Sequence, residues 1–180
     1  MSNTTKASFV IGAIGGFLIA LIYNWNLVRD FIPWTKTPTQ HYQILILGMI
    51  LISIGFFGLW RKSGNVIPLV SAICIIVWDI MVPLVHYLLG LPDPSPDWYI
   101  YFVLVGWLVI SVGWITAGIS AWSLREEFSQ FSIIAALVFL ACGVASAPLH
   151  LTVGWYPWVT LLWAATGIVT VIYFLDAART

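Results

Sequence analysis

Charge is what this sequence has least of. Seven Lys and Arg and seven Asp and Glu are spread over 180 residues, so 8% are charged and the formal net charge is zero. Soluble domains carry about 25% charged residues, so a water-soluble fold of this length lacks the polar surface to cover itself. With no basic run, there is no electrostatic basis for nucleic acid binding. Cysteine is nearly missing. Cys74 and Cys142 lie in long apolar runs without a CxxC, and read as small buried residues. Enzyme motifs are missing too: the chain has no HExxH, no GxSxG and no P-loop. The run Arg125-Glu126-Glu127-Phe128 shares its start with the glutamate motif of intramembrane CAAX-type proteases. Phe131 stands where that motif needs arginine, and the run reads as a solvated turn. The chain is expected not to be an enzyme on its own.

What fills the sequence is apolar. Hydrophobic residues make up 61%, and the mean hydropathy is +1.00. A hydrocarbon core about 30 Å thick takes roughly 20 helical residues. Six segments meet that length, about 6–23, 42–60, 67–90, 99–122, 131–150 and 157–175. Charged or turn-forming clusters separate them, such as Arg61-Lys62-Ser63-Gly64-Asn65 and the proline-rich stretch from Leu91 to Asp97. Strands of a barrel would alternate over about 10 residues, and no such pattern is present. Backbone groups need internal partners in lipid, so the expected fold is all-α. It is a polytopic integral membrane protein, a bundle of six transmembrane helices forming one domain over 1–180. The first run is too long for a signal core and is followed by Tyr23-Asn24-Trp25-Asn26 rather than a small-residue cleavage site.

Six crossings put Lys6, Arg61, Lys62, Arg125 and Arg179 on one side and only Arg29 and Lys36 on the other. The positive-inside rule then places both termini in the cytoplasm. The outer boundary is rich in aromatic residues, among them Tyr23, Trp25, Trp34, Trp98, Trp155 and Trp158. The inner boundary has Trp60, Trp122 and Tyr173. This is an aromatic belt biased to one face. Residues 24–41, with Arg29-Asp30-Phe31-Ile32-Pro33-Trp34, suit a short interfacial helix. The first span carries small residues at Ser8, Gly12, Gly16 and Ala20, four apart. Lipid supplies no hydrophobic drive between helices, so such a stripe marks close backbone approach, either within the chain or to another subunit.

Asp79 is the most informative residue. It lies near the middle of the third span, where a carboxylate costs about 2.5–3.5 kcal/mol on insertion scales. Pro83, four residues on, cannot donate to the Asp79 carbonyl, and a kink is expected there. His86 follows two turns after Asp79 on the same face. Asp79, His86, Trp78, Trp107 and Trp114 are the candidates for a ligand site or proton relay. The bland counterpart is a hydrogen bond from Asp79 to Ser111 or Thr116 of the fourth span. The topology gathers His41, His86 and His150 at similar depth on the outer side. They are candidates for Zn or Cu, with His86 and His150 the pair for an axial haem, although no cofactor is the simpler expectation.

Three readings of function follow. The first is a non-catalytic integral subunit of a larger membrane-embedded assembly, respiratory or redox-linked, with partner subunits or copies of itself in the lipid bilayer. The second is a small-molecule-binding or transport protein with a midplane polar site at Asp79. The third is a metal- or haem-binding membrane subunit using His86 and His150.

Overall fold

The computed structural model describes residues 2–24, 38–89, 97–128, 131–146 and 157–180. Its elements are α1 (Asn3–Tyr23), α2 (Pro38–Ser63), α3 (Val66–Leu89), α4 (Asp97–Ser123), the single turn α5 (Arg125–Phe128), α6 (Phe131–Val144) and α7 (Pro157–Arg179). No strand occurs among the described residues. Polar side chains fix the helix ends. The Ser2 hydroxyl accepts from the Thr5 amide at 3.3 Å, capping the start of α1. Asn24 closes α1, its side-chain amide donating to the Ala20 carbonyl at 2.8 Å. Between α2 and α3 the chain turns in two residues. Gly64, at φ +68°, takes the left-handed position that ends α2. The Asn65 side chain then accepts from the Ile67 amide at 3.0 Å to start α3. Pro68 falls in the first turn of α3, where its missing N–H leaves nothing unpaired. Pro83 does not end the helix, which runs on to Leu89.

The long helices pack in sequence order and close on themselves. α1 lies along α2 and α7, α2 along α3, α3 along α4, α4 along α6, and α6 along α7. Glycine makes the closing contacts. A Cβ added at Gly15 would stand 2.5 Å from the Gly48 carbonyl oxygen, and one at Gly12 would stand 2.8 Å from Gly55 Cα. On the other side of α1, a Cβ at Gly16 would meet the Gly167 carbonyl oxygen at 2.8 Å. The small residues of α1 therefore face two helices of the same chain. Ser8 sits against Gly58, Gly12 against Gly55 and Phe174, and Gly16 and Ala20 against Gly167. The stripe packs within the chain.

Aromatic side chains fill the space enclosed by the ring. Phe174 touches Phe9 and Phe56, Phe56 touches Phe139, Phe139 touches Trp114 and Tyr173, and Trp114 meets Trp163. All seven are buried to within 1% of complete. Tyr173, expected at the inner boundary, belongs to this core because α7 continues to Arg179, past the apolar run that ends at 175. Tyr23, expected in the outer belt, stacks on Trp163 at 5.3 Å. Trp122 is 48% exposed, with the Arg125 guanidinium over its ring at 5.1 Å. The outside of the ring is apolar: Ile14, Phe17, Ile73, Leu108, Leu137 and Leu161 are all exposed.

Asn3–Tyr23, Gln43–Ser63, Leu104–Ser123 and Leu161–Arg179 are long and apolar enough to cross a bilayer. Val66–Trp78 and Phe131–Val144 are shorter apolar stretches among the described residues. The chain is a helical, multi-pass membrane protein whose outer surface contacts lipid. The expected interfacial helix around Arg29–Trp34 and the proline-rich 91–96 stretch lie outside the described residues.

Candidate functional site

α3 places Asp79 on the helix backbone directly after Trp78. Trp78 is 5% exposed and packs on Trp107 of α4 with ring centroids 5.8 Å apart. Its indole N–H is buried and has no hydrogen-bond partner among the described residues. The side chains of Asp79, His86 and His41 lie outside the described residues, as does all of His150, so the Zn, Cu and haem expectations fall there too. Among the described residues no group of three His, Cys, Asp or Glu stands close enough to hold a metal ion. The two expected partners of Asp79 are engaged elsewhere. Thr116 meets the Ser71 hydroxyl at 3.0 Å and donates to its own helix at Val112, and the Ser111 hydroxyl donates to the Gly143 carbonyl. These pairings knit α3 to α4 and α4 to α6.

Trp107 and Trp114 are seven apart on α4, but they serve different neighbours. Trp107 goes to Trp78, whereas Trp114 goes to Phe139 at 5.3 Å and Trp163 at 5.8 Å. Around the Trp114–Trp163 pair the structure gathers polar groups that sequence reading missed. The Cys142 thiol lies 3.9 Å from the Ser146 hydroxyl and within bonding reach of Thr166. Ser146 donates to the Cys142 carbonyl at 2.7 Å and Thr166 to the Leu162 carbonyl at 2.8 Å. Residues 145–146 widen into a π turn, a feature found often where helices line sites. The indole N–H groups of Trp114 and Trp163 have no hydrogen-bond partner among the described residues. Their rings meet edge to face at 87°. In such a pair only one ring presents its edge, so at most one N–H points at the other's π face.

At the opposite end the chain's polar termini meet. The Lys62 ammonium donates to the Thr180 hydroxyl at 3.2 Å and lies in electrostatic reach of Glu127 and Lys6. Arg125 pairs with Glu126 at 3.3 Å and donates to the Trp122 carbonyl at 3.0 Å. This end also holds Asp176, just beyond the expected sixth span, with one carboxylate oxygen buried and unpaired. One sequence signal was available for this side of α6. Ser132, Phe139 and Ser146 repeat at intervals of seven, which puts two hydroxyls on the helix face that Phe139 buries.

Compared with protein-family models, curated protein sequences and solved structures, the chain matches none.

Proposed function

We propose that the protein crosses the membrane six times, with both termini cytoplasmic, and that its outer half binds or carries a small molecule. The observation that carries the reading is Trp78. Its indole is buried against Trp107, its N–H has no acceptor among the described residues, and the next residue in sequence is a carboxylate in the middle of a membrane-length helix. A ring pair beside an acid matches a ligand with an apolar body and a cationic or hydrogen-bonding head.

Several features support six crossings. α3 has 24 residues, about 36 Å of helix. α6 continues through its π turn to 146, about 24 Å. The start of α1, the α2–α3 turn and the end of α7 lie together through the Ser8–Gly58 and Lys62–Thr180 contacts, which supports an even number of crossings between the two ends. The excess of Lys and Arg at that end makes it the cytoplasmic one. The α1 stripe, one of the grounds for the subunit reading, is taken up by α2 and α7.

Native mass spectrometry of protein purified in mild detergent tests this. The wild type is expected to retain a small molecule as a fixed mass increment. Asp79→Asn and Trp78→Phe are each expected to lower its occupancy about tenfold, the worth of one charge-assisted hydrogen bond, with helix content unchanged. Full occupancy in both variants contradicts the placement. A wild type without the increment that emerges bound to another protein favours the integral-subunit reading instead.

A further inference from the structure

Seven buried side-chain atoms lack a hydrogen-bond partner among the described residues: Nε1 of Trp78, Trp114 and Trp163, the hydroxyls of Ser120, Ser132 and Tyr173, and Oδ2 of Asp176. Apart from Trp78, all lie on three helices, α4, α6 and α7, which pack α4 on α6 and α6 on α7. Elsewhere buried hydroxyls are satisfied. Ser53 donates to the Met49 carbonyl and Ser71 to the Ile67 carbonyl, the usual solution in an apolar interior. Trp114, Trp163 and Tyr173 are joined through ring contacts around Phe139, and Ser132 lies two turns before Phe139 on the same face of α6, so these unpaired groups line one seam.

Contacts fix their order along the membrane normal. Gly118 of α4 faces Ala136 and Leu140 of α6, and Gly143 of α6 faces Ser111 and Ile115 of α4. Ser132 lies one turn inward of Ala136, near the inner end. Ser120, four residues after Thr116 and seven after Gly113, lies on the face of α4 that meets α3 and is not part of this row. Asp176 is one turn inward of Tyr173. By helical spacing it stands about 60° round from Tyr173, on the side away from Phe174, whose ring faces Phe9 and Phe56. That turns Asp176 toward the α6 side of α7. From Asp176 to Trp163 the row runs about 20 Å along α7. Phe139 divides it, touching Tyr173 below and Trp114 above, and is itself fully buried. Outward of Phe139 stand Trp114, Trp163 and the Cys142–Ser146–Thr166 group.

We propose that the α4–α6–α7 seam is a closed conduit for water and protons, with Asp176 as its inner proton-accepting group and Phe139 as its constriction. Hydroxyls both donate and accept, and indole N–H groups donate, so together they hold a file of water once the seam parts. A proton from the inner solution binds the Asp176 carboxylate, passes to water in the seam and leaves at the outer end. Only O–H bonds break and form, and Asp176 returns to its starting state. The ionisable groups near this mouth are Lys6 on α1, Arg61 and Lys62 on α2, Arg125, Glu126 and Glu127 on α5, and Tyr173 and Arg179 on α7. The inference stands apart from the outer-half ligand site.

The test is proton flux into liposomes of phosphatidylcholine and phosphatidylglycerol that contain the full chain and a trapped pH-sensitive dye, driven by a potassium gradient and valinomycin. Wild-type vesicles are expected to take up protons about tenfold faster than protein-free ones, and Asp176→Asn to fall close to the protein-free rate. Ser53→Ala, on α2, is expected to keep the wild-type rate. Tyr173→Phe combined with Ser132→Ala, which removes two hydroxyls and little volume, is expected to slow flux several-fold. A wild type no faster than empty vesicles overturns the proposal, and so does a folded Asp176→Asn with wild-type flux. Should Asp176→Asn not fold by circular dichroism, undiminished flux in the Tyr173→Phe, Ser132→Ala double variant overturns it as well.

Discussion

Gly15→Leu is expected to destabilise the helix bundle strongly. A Cβ at position 15 would already meet the Gly48 carbonyl oxygen at 2.5 Å, the Ile52 amide nitrogen at 2.6 Å and Leu51 Cβ at 2.8 Å. Two of these are backbone atoms of α2, which cannot turn aside as the end of a flexible side chain can. α1 and α2 would have to separate along their length, and the α1–α7 contact at Gly16 and Gly167 would open with them. Overpacking a tight core costs about 1–3 kcal/mol, and a backbone-against-backbone site belongs at or beyond the top of that range. A loss of about 3 kcal/mol lowers the unfolding temperature by roughly 6–12 °C at this chain length. Thermal unfolding in detergent, followed by circular dichroism, reads it directly. Ile14→Leu, one position away but 50% exposed on the lipid side, is expected to leave the transition where it is. Equal unfolding temperatures for Gly15→Leu and wild type would mean that α1 does not lie on α2 this closely.

Phe139→Ala is expected to be strongly destabilising too. Phe139 is fully buried and is the junction of the aromatic core, with ring centroids 6.0 Å from Phe56, 5.3 Å from Trp114 and 6.1 Å from Tyr173. Truncating a buried Phe to Ala costs about 3–5 kcal/mol in water-soluble cores. In a membrane the unfolded reference is itself apolar, so little transfer free energy is lost and the cavity and missing ring contacts dominate. That places the loss near the lower end, about 3 kcal/mol. Because Trp114 leans on the same ring, Trp114→Ala and Phe139→Ala together are expected to cost less than the sum of the two single changes. Strict additivity would show that the rings do not support one another.

Much of the helical framework is legible in the sequence because it rests on local properties. Long apolar runs and turn clusters at Gly64-Asn65 and Arg125-Glu126-Glu127 are enough to mark helices and their ends. The stripe from Ser8 to Ala20 is legible as a smooth face, and so are Gly48 and Gly55 on α2. The partners of these faces are not. Gly16 meets Gly167 across most of the chain, and no local pattern records such a pairing. Helix ends also outrun the apolar signal. α7 extends to Arg179 through Asp176, which moves Tyr173 from an expected boundary into the core. The same limit governs the candidate site. Trp78 and Trp107 stand out by composition, and a helix wheel does not foresee that Trp107 and Trp114, on one face, go to different neighbours. Ser120 and Ser132 look like any small residues of an apolar helix. Their interest lies in hydrogen bonds that are not made, which only packing reveals.

The central claim is that α1 closes the ring between α2 and α7 and so brings both ends of the chain to one face of the membrane. The most direct measurement is the distance between spin labels on Ser2→Cys and Arg179→Cys in a Cys74→Ser, Cys142→Ala background, by double electron–electron resonance in lipid nanodiscs. A single population below about 30 Å is predicted, since both labels then sit at the same end of the bundle. A population centred above about 40 Å, the full thickness of a bilayer with its headgroups, would place the ends on opposite faces and contradict the account.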